Sequence, residues 1–266
     1  MEEYINKYDT LEKKIVYDFH LGSGGIGDLT KYFMYLLNIC IEHNIKLYYL
    51  VSNITVEKYL KLKYEKMYIT NETILISNNI NRIRNIHDIQ YLNTSDYYIV
   101  NPDVFYDIYI YNELTIPLQE VFCFSDEVKV NTNHFLCDKT NYISIHLRLG
   151  DKHLETDKSF VNCKEDSRNY DEYKLFDFIE KNQETPILFF CDNNSYKLKI
   201  KSKYNHIFIT DYDIGHTSLS NTTNTQVLNT LKEFYLLTNS EHIYMASHSG
   251  FPIMASKFKN IPITEL

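Results

Sequence analysis

Short apolar runs alternating with amphipathic segments constrain this chain more than any other feature of its sequence. Residues 15–20 read as a buried strand that enters the turn Leu21-Gly22-Ser23-Gly24-Gly25-Ile26-Gly27-Asp28. A helix over about 29–43 follows, because Phe33, Leu36, Leu37 and Cys40 recur at helical spacing. Residues 46–51 form a second strand. From there to about 126 the signals weaken to short apolar runs at 73–76, 97–100 and 104–111. Beyond 140 the alternation is clean. Strands at 142–147, 185–191, 207–210 and 242–246 alternate with helices at 170–181, 195–204, 225–237 and 251–258, and a long polar loop fills the stretch through 168. Strands joined by helical crossovers predict an α/β fold with parallel sheets. Strand signals lapse over 126–140, so the expectation is two α/β lobes, 1–128 and 129–266, with a cleft between them.

Composition narrows the function classes. With 266 residues, 44% apolar and 23% charged, the chain can build a core without disulfides or metal. A net charge of -8 and the lack of a basic cluster argue against nucleic-acid binding. The five cysteines (Cys40, Cys123, Cys137, Cys163 and Cys191) show no CxxC spacing, so neither a zinc site nor a disulfide framework is expected. Met1-Glu2-Glu3 does not open a signal peptide, and no run approaches the roughly 18 apolar residues of a membrane span. The expectation is a cytoplasmic protein with reduced thiols and no membrane span.

Three segments lie where strands end, the place at which open α/β sheets bind ligands. In the turn of residues 22–28, Gly25 and Gly27 allow close backbone approach, and the following helix offers free N–H groups to an anion. The same turn also serves as a plain strand-to-helix connection. It is neither a Walker loop nor a GxGxxG fingerprint. In His146-Leu147-Arg148-Leu149-Gly150-Asp151-Lys152, alternation puts His146 and Arg148 on one side of the strand. A guanidinium there suits a bidentate grip on phosphate oxygens and Lys152 adds positive charge, while an Arg148–Asp151 ion pair that only holds the loop is the competing reading. In Ser247-His248-Ser249-Gly250, small hydroxyl residues open a helix, as an anion site or as a simple cap.

Together these segments resemble the fucosyltransferase superfamily, which includes α1,2-, α1,6- and protein O-fucosyltransferases. The run 143–152 is similar to its HxRxGD-type motif, and Gly24-Gly25-Ile26-Gly27-Asp28 to the GGLGNQ turn of the α1,2 branch. Phe189-Phe190-Cys191-Asp192 resembles the family's strand and acidic turn. The stretch 231–237 followed by Ala246-Ser247-His248-Ser249-Gly250-Phe251 resembles its last helix and serine-bearing turn. The likeness covers residues 14–30 and 141–257. Asp28 and Leu29 depart from the Asn and Gln of the α1,2 branch, and His248, Gly250 and Phe251 from the usual last turn.

The resemblance implies a GT-B-like fold of two Rossmann-like lobes, 1–128 on the acceptor side and 129–266 binding the donor. It implies an inverting, metal-independent glycosyltransferase that moves a deoxyhexose, fucose first, from a GDP-sugar to a glycan or glycoprotein hydroxyl. By that analogy Arg148 holds the β-phosphate, His146 and Glu233 lie near the guanine, and Ser249 touches the phosphates. Gly25, Gly27, Lys152, Asp192, Ser247, His248 and Gly250 complete the donor-binding set. A leaving diphosphate needs its charge offset, and Arg148, Lys152 and a helix N-terminus can do this without a metal. The base that takes the acceptor proton is expected to be Asp28, with Glu155, Asp157 and His20 as alternatives. Asp211-Tyr212-Asp213 is a DxD, read as chance, and with His216 it lacks a fourth ligand for a metal site. The rival readings are the same fold with another UDP- or GDP-deoxysugar, or a non-catalytic descendant that binds a glycan or nucleotide.

Overall fold

The computed structural model describes residues 1–50, 55–75, 79–94, 96–106, 109–130 and 141–266. The chain divides into two compact units, Met1–Cys123 and Phe124–Leu266, a few residues ahead of the expected 128/129 boundary. Cys137 and most of the expected boundary segment lie outside the described residues. Cys40, Cys123, Cys163 and Cys191 are free thiols.

The N-terminal unit is built on a five-stranded parallel sheet. Its strands are β1 (Lys14–Asp18), β2 (Lys46–Leu50), β4 (Tyr68–Ile69), β5 (Ile80–Arg82) and β6 (Tyr97–Val100), in the order β4-β2-β1-β6-β5. A separate two-stranded sheet pairs β3 (Leu60–Leu62) with β7 (Phe122–Phe124). The short helix α1 (Glu2–Lys7) leads into β1, and Tyr4 and Tyr8 donate their hydroxyls to the carbonyls of Ile45 and Leu47 at 2.7 and 2.6 Å. Helix α2 (Ile26–Glu42) starts three residues before the expected position, so Gly27 and Asp28 sit in its first turn. Residues 73–75 fall in the helix α3 (Asn71–Leu75), with Ile76 outside the described residues. The run 104–111 contains 3-10 turns instead of a strand, and residues 107 and 108 lie outside the described residues.

The C-terminal unit carries the second parallel sheet. Its strands are β8 (Ile143–Leu147), β9 (Ile187–Cys191), β10 (Ile207–Phe208), β11 (Ile243–Met245) and β12 (Ile263–Glu265), in the order β10-β9-β8-β11-β12. Helices α4 (Glu172–Lys181), α5 (Asn194–Lys203), α6 (Asn224–Leu237) and α7 (Gly250–Lys259) make the crossovers. Every residue of β8 and β9 is buried, which is why both read as continuous apolar runs. On one face Ile143, Ile145 and Leu147 pack with Leu175, Ile179 and Ile200. Each such side chain contributes about 1.5–3 kcal/mol by leaving water. Strand alternation sends Ser144 and His146 to the opposite face. In both sheets the first strand is flanked by its second and by a later one, so chain order reverses beside β1 and beside β8. Such reversals open a crevice at the carboxyl ends of the strands.

Candidate functional site

The reversal in the C-terminal unit falls between β8 and β11, and His146, Arg148, Ser247 and Ser249 among the sequence-predicted residues lie at the ends of those strands. Backbone pairing of the two strands ends with Ala246 N–H on the His146 carbonyl at 2.9 Å. One step further out, the Ser247 hydroxyl accepts from Arg148 N–H and donates to the Arg148 carbonyl, each at 2.8 Å. Ser247 is buried and acts as a side-chain rung between two loops that would otherwise part. Ser249 caps α7 by accepting from Phe251 N–H at 3.4 Å. Gly250 opens that helix, and His248 is exposed beside it.

Asp192 follows β9 directly and organises the loop that leaves β8. Its carboxylate accepts from Arg148 Nη1 at 2.7 Å, Leu149 N–H at 2.8 Å and Gly150 N–H at 3.1 Å. The other terminal nitrogen of Arg148 pairs with Asp151. The guanidinium is therefore held by two carboxylates that take two of its five N–H donors. Both the ion pair weighed in the sequence and a second one to Asp192 exist. Burial raises the Asp151 pKa, opposed by Arg148 and reinforced by Asp166 and Asp192.

Asp166, which the sequence did not single out, closes the loop from the far side. Its side chain accepts from Asp151 N–H at 3.3 Å and its carbonyl from Lys152 N–H at 3.0 Å. Gly150 has φ 102, and a Cβ there would stand 2.6 Å from the Asp166 carbonyl oxygen. Only glycine fits both that dihedral and that approach.

His146 lies beneath this loop, with its ring 5.5 Å from that of Phe251. It is 5% exposed, and its Nδ1 has no hydrogen-bond partner among the described residues. Burial, helped by the Arg148 charge, lowers its pKa to about 3, so the imidazole is neutral.

Other expected site residues have structural duties. Glu155 accepts from Asn194 N–H at 2.8 Å and Ser195 N–H at 2.9 Å, and Asn193 caps the same helix through Tyr196 N–H at 2.7 Å. The N-terminus of α5 is thus satisfied internally. Partial burial would raise the Glu155 pKa, but these hydrogen bonds from Ser195 and Asn194 bring it below the usual value. A carboxylate so held is a weak proton acceptor. Asp157 accepts from Ser159 N–H at 2.9 Å in an exposed turn, and His20 is exposed. Lys152 reaches Glu165 at 3.6 Å.

Glu233 is buried and binds Lys197 Nζ at 2.8 Å, while the Thr210 hydroxyl donates to the same oxygen. Lys197 also donates to the Tyr212 carbonyl at 3.3 Å. Asp213 is occupied by Gln226 Nε2 at 3.1 Å and Asn194 Nδ2 at 3.4 Å. Among the described residues no three His, Cys, Asp or Glu side chains converge as a metal site.

In the N-terminal unit, Gly25 stands at the N-cap of α2 with no side-chain cap, and Gly27 is buried in the first turn. Asp28 pairs with Lys31 at 3.0 Å. Gly24 has φ 129, and a Cβ there would meet the Asp28 carboxylate at 2.5 Å, so glycine lets that carboxylate fold back over the turn. Beyond β6, Asn101 Nδ2 donates to the Asp18 carboxylate at 3.0 Å and ties the two strand ends beside the reversal.

These features define a class: an α/β protein of two units, each on a five-stranded parallel sheet, the C-terminal one in the 3-2-1-4-5 strand order of a Rossmann-type sheet and the N-terminal one with its last two strands exchanged. No protein-family model matches the sequence, and no curated protein matches it. Solved structures do share its fold. A mutant of Arabidopsis thaliana FUT1 in complex with GDP matches with TM-score 0.59 at 10% identity, covering 100% of this chain and 74% of that one. NodZ α-1,6-fucosyltransferase soaked with GDP-fucose gives 0.58 at 10% identity, over 96% of this chain and 95% of that one. POFUT1 in complex with GDP-fucose gives 0.53 at 8% identity, over 96% and 98%. The chain has the fold of fucosyltransferases, as its motifs led one to expect. Among the described residues no helix is long and apolar enough to cross a membrane.

Proposed function

We propose that this chain is a glycosyltransferase that moves a deoxyhexose, fucose first, from a GDP-sugar to a glycan or protein hydroxyl. The observation that carries the reading is the cluster at the ends of β8 and β11, where Arg148, Ser247 and the start of α7 are locked together. The neighbouring folds are fucosyltransferases, one in complex with GDP-fucose, one soaked with GDP-fucose and one in complex with GDP. In this reading the donor diphosphate meets the remaining N–H donors of Arg148, the α7 N-terminus and Lys152. They offset the charge that grows on the departing GDP, and no metal is required. His146, held neutral, serves as a hydrogen-bonding group instead of a second cation. The acceptor hydroxyl attacks the anomeric carbon with inversion, and Asp28 takes its proton. Glu155 fits that role less well because it caps α5.

The double engagement of Arg148 by Asp151 and Asp192 favours a second reading, a non-catalytic descendant that still binds a nucleotide. Thermal melting with GDP, UDP and CDP, followed by transfer assays on Arg148→Lys, separates the two. GDP at 100 times its Kd should add about 2.7 kcal/mol of stability and outdo the others. Arg148→Lys should cut transfer by about 10²-fold or more. Equal stabilisation by all three nucleotides sinks the donor assignment. GDP binding without any transfer establishes the second reading.

A further inference from the structure

A cavity of about 500 Å³ opens at the edge of the N-terminal sheet, beside β5. One wall is the 3-10 segment Ile86–Tyr91. Residues three apart eclipse in such a helix, so it has a buried row and an outward row. Ile86, Ile89 and Leu92 form the buried row. Asp88 and Tyr91, also three apart, form the outward row that lines the cavity, and Tyr91 is 74% exposed. The other wall comes from β5 and β6. There the buried Asp96 carboxylate accepts from Asn81 Nδ2 at 3.2 Å and from the Tyr98 hydroxyl at 3.4 Å. The Tyr98 oxygen accepts in turn from Asn93 N–H at 3.1 Å. Arg82, on the exposed edge strand, and the apolar Ile83 and Leu92 complete the lining.

We propose that this cavity binds a neutral carbohydrate, a disaccharide or the end of a longer glycan. Two carboxylates and one guanidinium leave no positive excess for a phosphate. Among the described residues no three metal-ligating side chains come together to suggest a cation. What remains is a wall of amide, carboxylate, phenol and guanidinium groups, among which Asn81, Asp96 and Tyr98 are fixed by hydrogen bonds to one another. Planar bidentate groups match vicinal hydroxyl pairs, and preorganisation removes the ordering cost of binding. The Tyr91 ring, 74% exposed, offers an apolar face to the C–H side of a pyranose. The volume lies in the lower half of the roughly 300–1,000 Å³ that small-molecule sites span. The proposal does not depend on the donor reading and stands whether or not the chain transfers a sugar.

Saturation-transfer NMR on the full chain tests it, with cellobiose, lactose, maltose and N,N′-diacetylchitobiose at about 10 mM and glycerol as control. At least one disaccharide should show transfer that glycerol does not. Tyr91→Ala and Asn81→Ala should each weaken it about tenfold or more. Arg148→Lys should leave it unchanged, and circular dichroism of the exposed-site variant Tyr91→Ala should match that of the parent. Absence of transfer from all four disaccharides overturns the proposal, as does binding by Tyr91→Ala and Asn81→Ala equal to that of the parent. Disaccharide binding without stabilisation by GDP counts against the donor reading alone; GDP stabilisation without disaccharide binding counts against this site alone.

Discussion

Acidification should destabilise this protein through one imidazole. His146 is 5% exposed, and its pKa is lowered from 6.5 to about 3 by burial and by Arg148. The unfolded chain therefore binds a proton at this residue well before the folded one does. Stability is full above about pH 6.5 and falls as pH drops toward 3, at about 1.4 kcal/mol per pH unit. Between pH 7 and 4 the loss from His146 alone sums to about 3 kcal/mol, a sizeable share of a typical folding free energy. Urea unfolding at pH 7, 6, 5 and 4 measures it, with His146→Gln as the non-titrating reference. The difference between the two pH profiles isolates His146 from the carboxylates. A native C2-proton resonance titrating near 6.5, or parallel profiles for the parent and His146→Gln, would refute the reasoning.

Two further perturbations probe the same unit. Lys197→Met should cost about 3–5 kcal/mol, because it strands the buried Glu233 carboxylate. Adding Glu233→Gln should recover much of that loss in a double-mutant cycle, and a single-mutant cost under about 1 kcal/mol would mean the pair is solvated. Gly150→Ala should cost about 2–4 kcal/mol in thermal or urea unfolding, because φ 102 and the Asp166 backbone at 2.6 Å both exclude a methyl group. A cost within experimental error would place the loop backbone elsewhere.

The second half of the fold was legible because burial on both faces makes its central strands continuous apolar words, such as Ile187–Cys191. The first half was harder. β4 is two residues long and β5 is exposed at all three positions, so neither leaves a periodic trace, and their existence depends on neighbours in the sheet. The strand-end cluster was readable in kind, because Arg148, Asp192 and Ser247 sit at segment ends that topology brings together. Their division of labour was not. Glu155 reads as an acid beside an anion loop, yet its carboxylate caps a helix about forty positions away in sequence. Lys197 is one of four lysines at alternate positions in α5, and nothing local marks it as the buried one. Its fate is decided by Glu233 on another helix.

The Ser247 rung has a kinetic consequence. Arg148 lies beyond the last residue of β8, where an amide normally exchanges its proton with solvent as fast as the loop opens. Here that N–H is held by a buried hydroxyl that also bonds the carbonyl of the same residue. To expose it, the chain must separate the ends of β8 and β11, an opening that belongs to the sheet and not to the loop. The slow-exchanging core of the C-terminal unit should therefore extend one residue past its geometric edge, and the residue it annexes is Arg148, on which the proposed donor site turns.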